Sequence, residues 1–233
     1  MDVYLVPVGS DRYQLYCESP AEDLPELPAG ESGLWKRLSA RFAAMLASIE
    51  REHERLERSR AAARLRRRKG WMTRARMRGV RWLAEKVAEQ RLLWRLRTQR
   101  EACALYPVGM GDERAMSVIR GNLARDFGRH RWWLAVNTLA GIASLALMPL
   151  PGPNVIGFYF AFRIVGHFLA VRGARQGLDV VCWRLRESAH LAELRSSLAL
   201  PPPERERIVA EVSRQLGLRR LPRFFKRMAP NLA

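Results

Sequence analysis

Residues Trp132–Val171 read WWLAVNTLAGIASLALMPLPGPNVIGFYFAFRIVGHFLAV, and no residue between Arg131 and Arg163 is charged. Two apolar arms, Trp132–Met148 and Val155–Val171, flank the breaker Pro149-Leu-Pro-Gly-Pro-Asn154. Proline lacks a backbone N–H and clashes with the preceding turn, so this run cannot continue a helix. The stretch predicts a helical hairpin. Gly141, Ala143, Gly157, Ala161 and Gly166 are small enough to let the two arms approach closely.

Each arm is about 17 residues, roughly 25 Å of helix, against about 30 Å of bilayer hydrocarbon. Trp132 and Trp133 stand at one entry, where aromatic belts lie. Arg129 and Arg131 precede the first arm, Arg172 and Arg175 follow the second, and the turn between is neutral. That distribution follows the positive-inside rule. Arg163 sits mid-arm, where insertion scales charge about 2.5–3.5 kcal/mol. A buried core helix would carry the same penalty, so Arg163 does not discriminate. Membrane insertion is the expectation adopted, and a soluble or re-entrant helical core is its rival.

Tyr159, Arg163 and His167 fall at i, i+4 and i+8 and share one helix face. Asn154 is placed to cap the second arm, and Asn137 is polar in the first. Ionisable groups at membrane depth are functional candidates, and histidine titrates near neutrality. Asn137, Asn154, Tyr159, Arg163 and His167 are therefore the candidate ion or proton pathway. No Asp or Glu occurs from Phe127 to Leu178. A carrier of bare cations offers carboxylates or rings of carbonyls, and two arms are too few for alternating access. A homo-oligomer, a larger membrane complex or a regulatory role is expected instead.

Outside the hairpin the chain is basic. Forty-one Lys and Arg against 23 Asp and Glu give +18 over 233 residues. Such an excess selects an anionic partner, here anionic lipid head groups. Arg66, Arg67, Arg68 and Lys69 form the densest cationic run. Cys17, Cys103 and Cys182 are odd in number and show no CxxC, so neither a disulfide framework nor a metal site is expected. The first residues show neither a basic n-region nor a sufficient apolar core for a signal peptide.

Four segments follow. Residues 1–33 hold two β-rich runs, Val3–Val8 and Tyr13–Cys17, joined by a Gly9-Ser-Asp11 turn and followed by a linker. Pro7 predicts that the first strand lies at a sheet edge. Residues 34–106 form a basic antiparallel helical hairpin: Trp35, Leu38, Phe42, Met45, Ile49 and Leu56 on one helix, Val80, Leu83, Val87 and Trp94 on the next. Its second helix runs from about Trp71 to Leu105. Residues 107–198 hold a helix opened by Asp112-Glu113, the apolar hairpin and a further helix. In 199–233, Pro201-Pro-Pro203 breaks the chain before a short amphipathic helix stopped by Gly217, followed by a basic tail. The fold class is mainly α, with a small N-terminal β-hairpin and a central apolar helical hairpin.

The opening Val3-Tyr-Leu-Val-Pro-Val, Tyr13-Gln-Leu-Tyr, the proline-rich turn, and Asn154…Phe158-Tyr-Phe-Ala-Phe-Arg163…His167-Phe…Ala170 resemble the mitochondrial K+/H+ exchange-related family and its bacterial relatives. The resemblance implies an integral membrane protein tied to potassium/proton exchange, with K+ and H+ as partners and Asn154, Arg163 and His167 as the positions to carry over. The bacterial inner (cytoplasmic) membrane is the expected location, with most of the chain on the cytoplasmic side. A membrane-anchored scaffold is the alternative. A nucleic-acid-binding role for Arg64–Arg81 lacks an RRM, KH or zinc-finger signature and is set below both. No P-loop, GxSxG, HExxH or paired Cys/His set is present, so no enzyme chemistry and no cofactor are expected.

Overall fold

The computed structural model describes residues 1–18, 92–144 and 155–229. These belong to a unit made of Met1–Glu18 and Leu92–Ala233; the other unit, Ser19–Arg91, lies outside the described residues. So do most of the expected basic hairpin, the Arg66–Lys69 run, and the turn with Asn154.

Four strands, β1 (Asp2–Gly9), β2 (Arg12–Tyr16), β3 (Glu101–Pro107) and β4 (Cys182–Ser188), form one sheet in the order β2-β1-β3-β4. The first pair is antiparallel, as its tight turn dictates, and the other two are parallel. β3 and β4 pair without interruption from Glu101 opposite Cys182 to Pro107 opposite Ser188. A parallel pair needs a crossover rather than a tight turn. The crossover is made by α1 (Asp112–Ser144) and α2 (Val155–Asp179), which pack along each other.

Alternation along the strands separates two packing faces. Val6, Val8 and Tyr16 join the C-terminal helices α3 (Ala189–Ser197), α4 (Pro202–Gln215) and α5 (Leu221–Met228) in one core. Leu191, Leu194, Val209, Val212, Leu221 and Phe225 complete it. Val3 and Leu5, wholly buried, point the other way. Local chemistry sets the helix ends. Ser188 caps α3 by accepting from the Leu191 N–H, and Pro202 opens α4, where a missing N–H costs nothing. Gly217, at φ 69°, stops α4 as expected.

Residues 92–96 make a helical turn that is buried against α2. The approach is closest at Gly173, where an added Cβ would lie 1.6 Å from the Leu93 carbonyl oxygen. One turn on, a Cβ at Gly177 would meet Leu123 at 3.0 Å and Leu96 at 3.3 Å. Trp94 donates its indole N–H to the Gly166 carbonyl at 3.0 Å. Among the described residues, Gly141 is the expected small residue that does admit the opposing arm: its Cβ would touch Ile164 and Phe160 at 3.3 and 3.4 Å.

Several expectations require correction. The N-terminal strand pair and the predominance of helix are present. However, residues 101–107, expected as the end of a long helix, are β3, and 182–188, expected as helix, are β4. In β3, Ala102, Ala104 and Tyr106 are buried and alternate with more accessible neighbours; in β4, Trp183 and Leu185 alternate with exposed Arg184 and Arg186. That two-residue period is the strand signal. β1 lies inside the sheet, not at its edge. It pairs with β3 only over Asp2–Tyr4, and a bulge follows Pro7, so proline's missing donor falls outside that ladder.

The membrane-spanning arms are not supported. Among the described residues no helix is long and apolar enough to cross a membrane. The described part of the first arm, up to Ser144, is no separate span but continues a helix that begins at Asp112 and carries Arg120, Arg125, Arg129 and Arg131. The second continues to Asp179 through Arg163, His167, Arg172 and Arg175. Gly173→Ala is expected to lower stability by about 3 kcal/mol or more, because the new methyl meets backbone rather than a movable side chain. Urea denaturation of the full chain checks this; an unchanged midpoint would refute the close approach.

Candidate functional site

Seven β3 residues span about 23 Å, while the 33 residues of α1 span about 50 Å. α1 therefore overruns the sheet, and among the described residues its distal half packs on α2. At that transition lies a buried polar seam. His130 of α1 and His167 of α2 are each about 95 % buried, and their Nδ1 atoms are 2.8 Å apart. The rings are tilted by 42° with centroids 5.1 Å apart. At that spacing one Nδ1–H donates and the other Nδ1 accepts, so the accepting ring carries no proton on that nitrogen.

Burial drives the His167 pKa from the usual 6.5 down to about 4, and the cations Arg163 and Arg129 push the same way. Its Nε2 is buried and finds no hydrogen-bond partner among the described residues; the same holds for the Nε of Arg163. Arg163 lies one turn outward, with its guanidinium carbon 6.0 Å from the centroid of the Trp133 ring. A cation–π contact thus stands where a carboxylate would otherwise sit. Of the acids at the margins of the seam, Asp126, one turn before His130 on α1, accepts from Arg129 at 2.9 Å, and Asp179 accepts from Arg175 at 3.4 Å.

The expected pathway residues separate. Arg163 and His167 do share the inner face. Asn137 is buried but donates to the Trp133 carbonyl of its own helix at 2.6 Å, and Thr138 does the same to Leu134 at 2.8 Å. Such i−4 bonds satisfy polar side chains within the helix instead of presenting them to an ion. Tyr159 is 48 % exposed and packs edge-on against Phe160. His130 is not among the expected pathway residues, because it stands 37 positions from His167 in sequence. Folding the chain back at the proline turn is the signal that would have set it opposite His167.

Beyond the seam, the hairpin surface is apolar. Trp132 is 67 % exposed, Leu139 69 % and Ile142 61 %, with Trp133 and Phe168 close to half exposed. Arg129, Arg131, Arg172 and Arg175 are all exposed at the base. Elsewhere, Met116, Ser117, Arg120 and Gly121 of α1 line a shallow groove with Leu178 and Leu185.

A family model described as mitochondrial K+-H+ exchange-related matches residues 2–179. The chain belongs to that family. The matched stretch runs from β1 through α2 and so includes the whole crossover hairpin and its histidine pair, while β4 and α3–α5 lie beyond it. No curated protein and no solved structure matches the chain. The family's description names mitochondria and potassium/proton exchange, and nothing in it or in the fold indicates the expected bacterial inner membrane.

The histidine seam makes stability pH-dependent. The folded His167 pKa lies below the unfolded value near 6.5, so the unfolded chain binds more protons between about pH 4 and 6.5. Its contribution is fully present above pH 6.5 and is lost as pH falls through that window. Thermal midpoints should drop from pH 6.5 to 4, and His167→Gln should flatten that drop. Equal slopes for the two proteins would show that other groups dominate.

Proposed function

We propose that this protein is a membrane-seated component of potassium/proton exchange or of its regulation. The distal half of the α1–α2 hairpin enters one leaflet, and the sheet domain with the basic remainder stays on the aqueous side. The observation that carries the reading is the exposed Trp132, Trp133, Leu139, Ile142, Tyr159 and Phe168 above a belt of exposed arginines. Exposed apolar surface rimmed by cations complements a bilayer of anionic lipid, and Trp and Tyr prefer its interface.

The chemistry of the seam favours regulation over carriage. From Phe127 to Leu178 the sequence offers no carboxylate to replace the water around K+, and Asn137 and Thr138 are bonded to their own helix.

Flotation of the full chain with vesicles containing phosphatidylglycerol tests the placement. The protein should rise with the vesicles and resist alkaline carbonate, and adding salt should weaken the first contact. Trp132→Ser combined with Leu139→Ser and Ile142→Ser should leave it in the dense fraction. A wild-type protein that is monodisperse without detergent and ignores the vesicles would overturn the reading. Potassium flux in proteoliposomes, wild type against Arg163→Ala, then separates exchange from regulation.

A further inference from the structure

β4 pairs with β3 along its whole length, and among the described residues no strand pairs with its other edge. In a parallel ladder a residue turns its N–H and its C=O toward the same neighbour. Cys182 donates its N–H to the Arg100 carbonyl at 2.9 Å, and Ser188 accepts from the Val108 N–H at 3.4 Å. Residues 182, 184, 186 and 188 therefore face β3. Trp183, Leu185 and Glu187 turn their backbone donors and acceptors outward, as a template for a further strand.

The side chains around that edge sort by face. Arg184 and Arg186 are exposed, and they share the face of Cys103 and Leu105, their partners in register on β3. Arg184 donates to Glu101 at 2.7 Å. On the opposite, hairpin side, Trp183 is tied back to the Gly177 carbonyl at 2.9 Å. Leu185 lies in the groove that Leu178 and the α1 residues Met116, Arg120 and Gly121 also line. A Cβ at Gly121 would meet no atom within 4 Å, so the groove is open on its α1 side.

We propose that the outer edge of β4 docks an extended segment of a partner protein, which adds a fifth strand and alternates acidic with apolar residues. The backbone of Trp183, Leu185 and Glu187 supplies the ladder, and the alternation selects the partner. Carboxylates of the segment fall beside Arg184 and Arg186 on one face, and its apolar side chains fall beside Leu185 and the groove on the other. The charges disfavour a second copy of this chain as the occupant. Antiparallel pairings of β4 with itself centred on Arg184, Leu185 or Arg186 all set arginine against arginine, and like charges directly opposed destabilise a sheet. The edge belongs to the sheet and lies beyond residues 2–179, the stretch matched by the family, so docking is independent of whether the hairpin tip enters lipid.

Fluorescence anisotropy of a labelled peptide titrated with the full chain in detergent tests the docking. The probe is a peptide of β4's length that alternates glutamate with valine. It should bind saturably. A peptide with lysine for each glutamate, and one with methylated backbone amides, should bind about ten-fold more weakly or worse. Arg186→Glu leaves the Arg184–Glu101 contact in place; it should weaken the glutamate peptide and strengthen the lysine peptide. Hydrogen exchange should slow at the Trp183, Leu185 and Glu187 amides on saturation and change little at Arg184 and Arg186, already bonded to β3. Leu185→Pro removes an outward donor without touching the β3 ladder and should also weaken binding; should circular dichroism show it unfolded, Arg186→Glu carries the test. Equal affinity for the glutamate and lysine peptides, undiminished binding of the methylated peptide, or slowed exchange at the three outward amides by self-association without peptide would overturn the proposal.

Discussion

The parallel pairing of β3 with β4 constrains everything else. Seven residues in unbroken register leave no freedom in where the crossover starts and ends. The chain must leave the top of β3, travel out and return to the bottom of β4, and α1 and α2 perform that journey. Their bases are fixed by packing: Ile119 and Leu123 are wholly buried on α1, and Ala170 and Ala174 on α2. Gly173 tightens this further, because the Leu93 backbone occupies the space a side chain would need. With the bases held, a helix of about 50 Å on a sheet of about 23 Å must project. Exposure of Leu139 and Ile142 follows from that mismatch in length.

Much of this was legible in the sequence, for identifiable reasons. The β1–β2 pair announces itself through two β-rich runs and a Gly-Ser-Asp turn. α1 is visible from Asp112-Glu113 and from its unbroken passage into Trp132. Pro202 and Gly217 bracket α4 with the punctuation that helix ends demand. β3 and β4 were hidden because each is only seven residues long and directly follows a helical pattern. Over so short a run, alternation and helical spacing are hard to tell apart. Arg184 and Arg186 belong equally well to the polar face of a helix. What decides for strand is pairing between residues about 80 apart, a tertiary fact that no local window contains. The histidine pair was hidden for a related reason: its partners are 37 residues apart, and only the closed hairpin joins them.

The seam shows how a charge is accommodated without an acid. Arg163 would ordinarily seek a carboxylate, but Asp126 and Asp179, the acids of α1 and α2 nearest the seam, accept from Arg129 and Arg175. The face of Trp133 provides a quadrupole in its place, with the guanidinium carbon 6.0 Å from the ring centroid. Buried ion pairs carry a desolvation cost that often offsets their attraction. A cation–π contact holds the guanidinium without a buried ion pair.

The extent of the family match bears on the same point. It ends at residue 179, the last position of α2. What it omits, β4 and the three C-terminal helices, makes weak demands on sequence. β4 needs alternation on one face, and α4 needs an apolar stripe at helical spacing, conditions that many sequences satisfy. What it includes is exacting: a glycine where backbone meets backbone, an indole aimed at a carbonyl, and two imidazoles within hydrogen-bond reach. Those contacts all lie along α2. The physically demanding part of the molecule is thus the returning arm of the hairpin, not the sheet that anchors it. A function centred on that arm fits both the stretch that defines the family and the energetics of the seam.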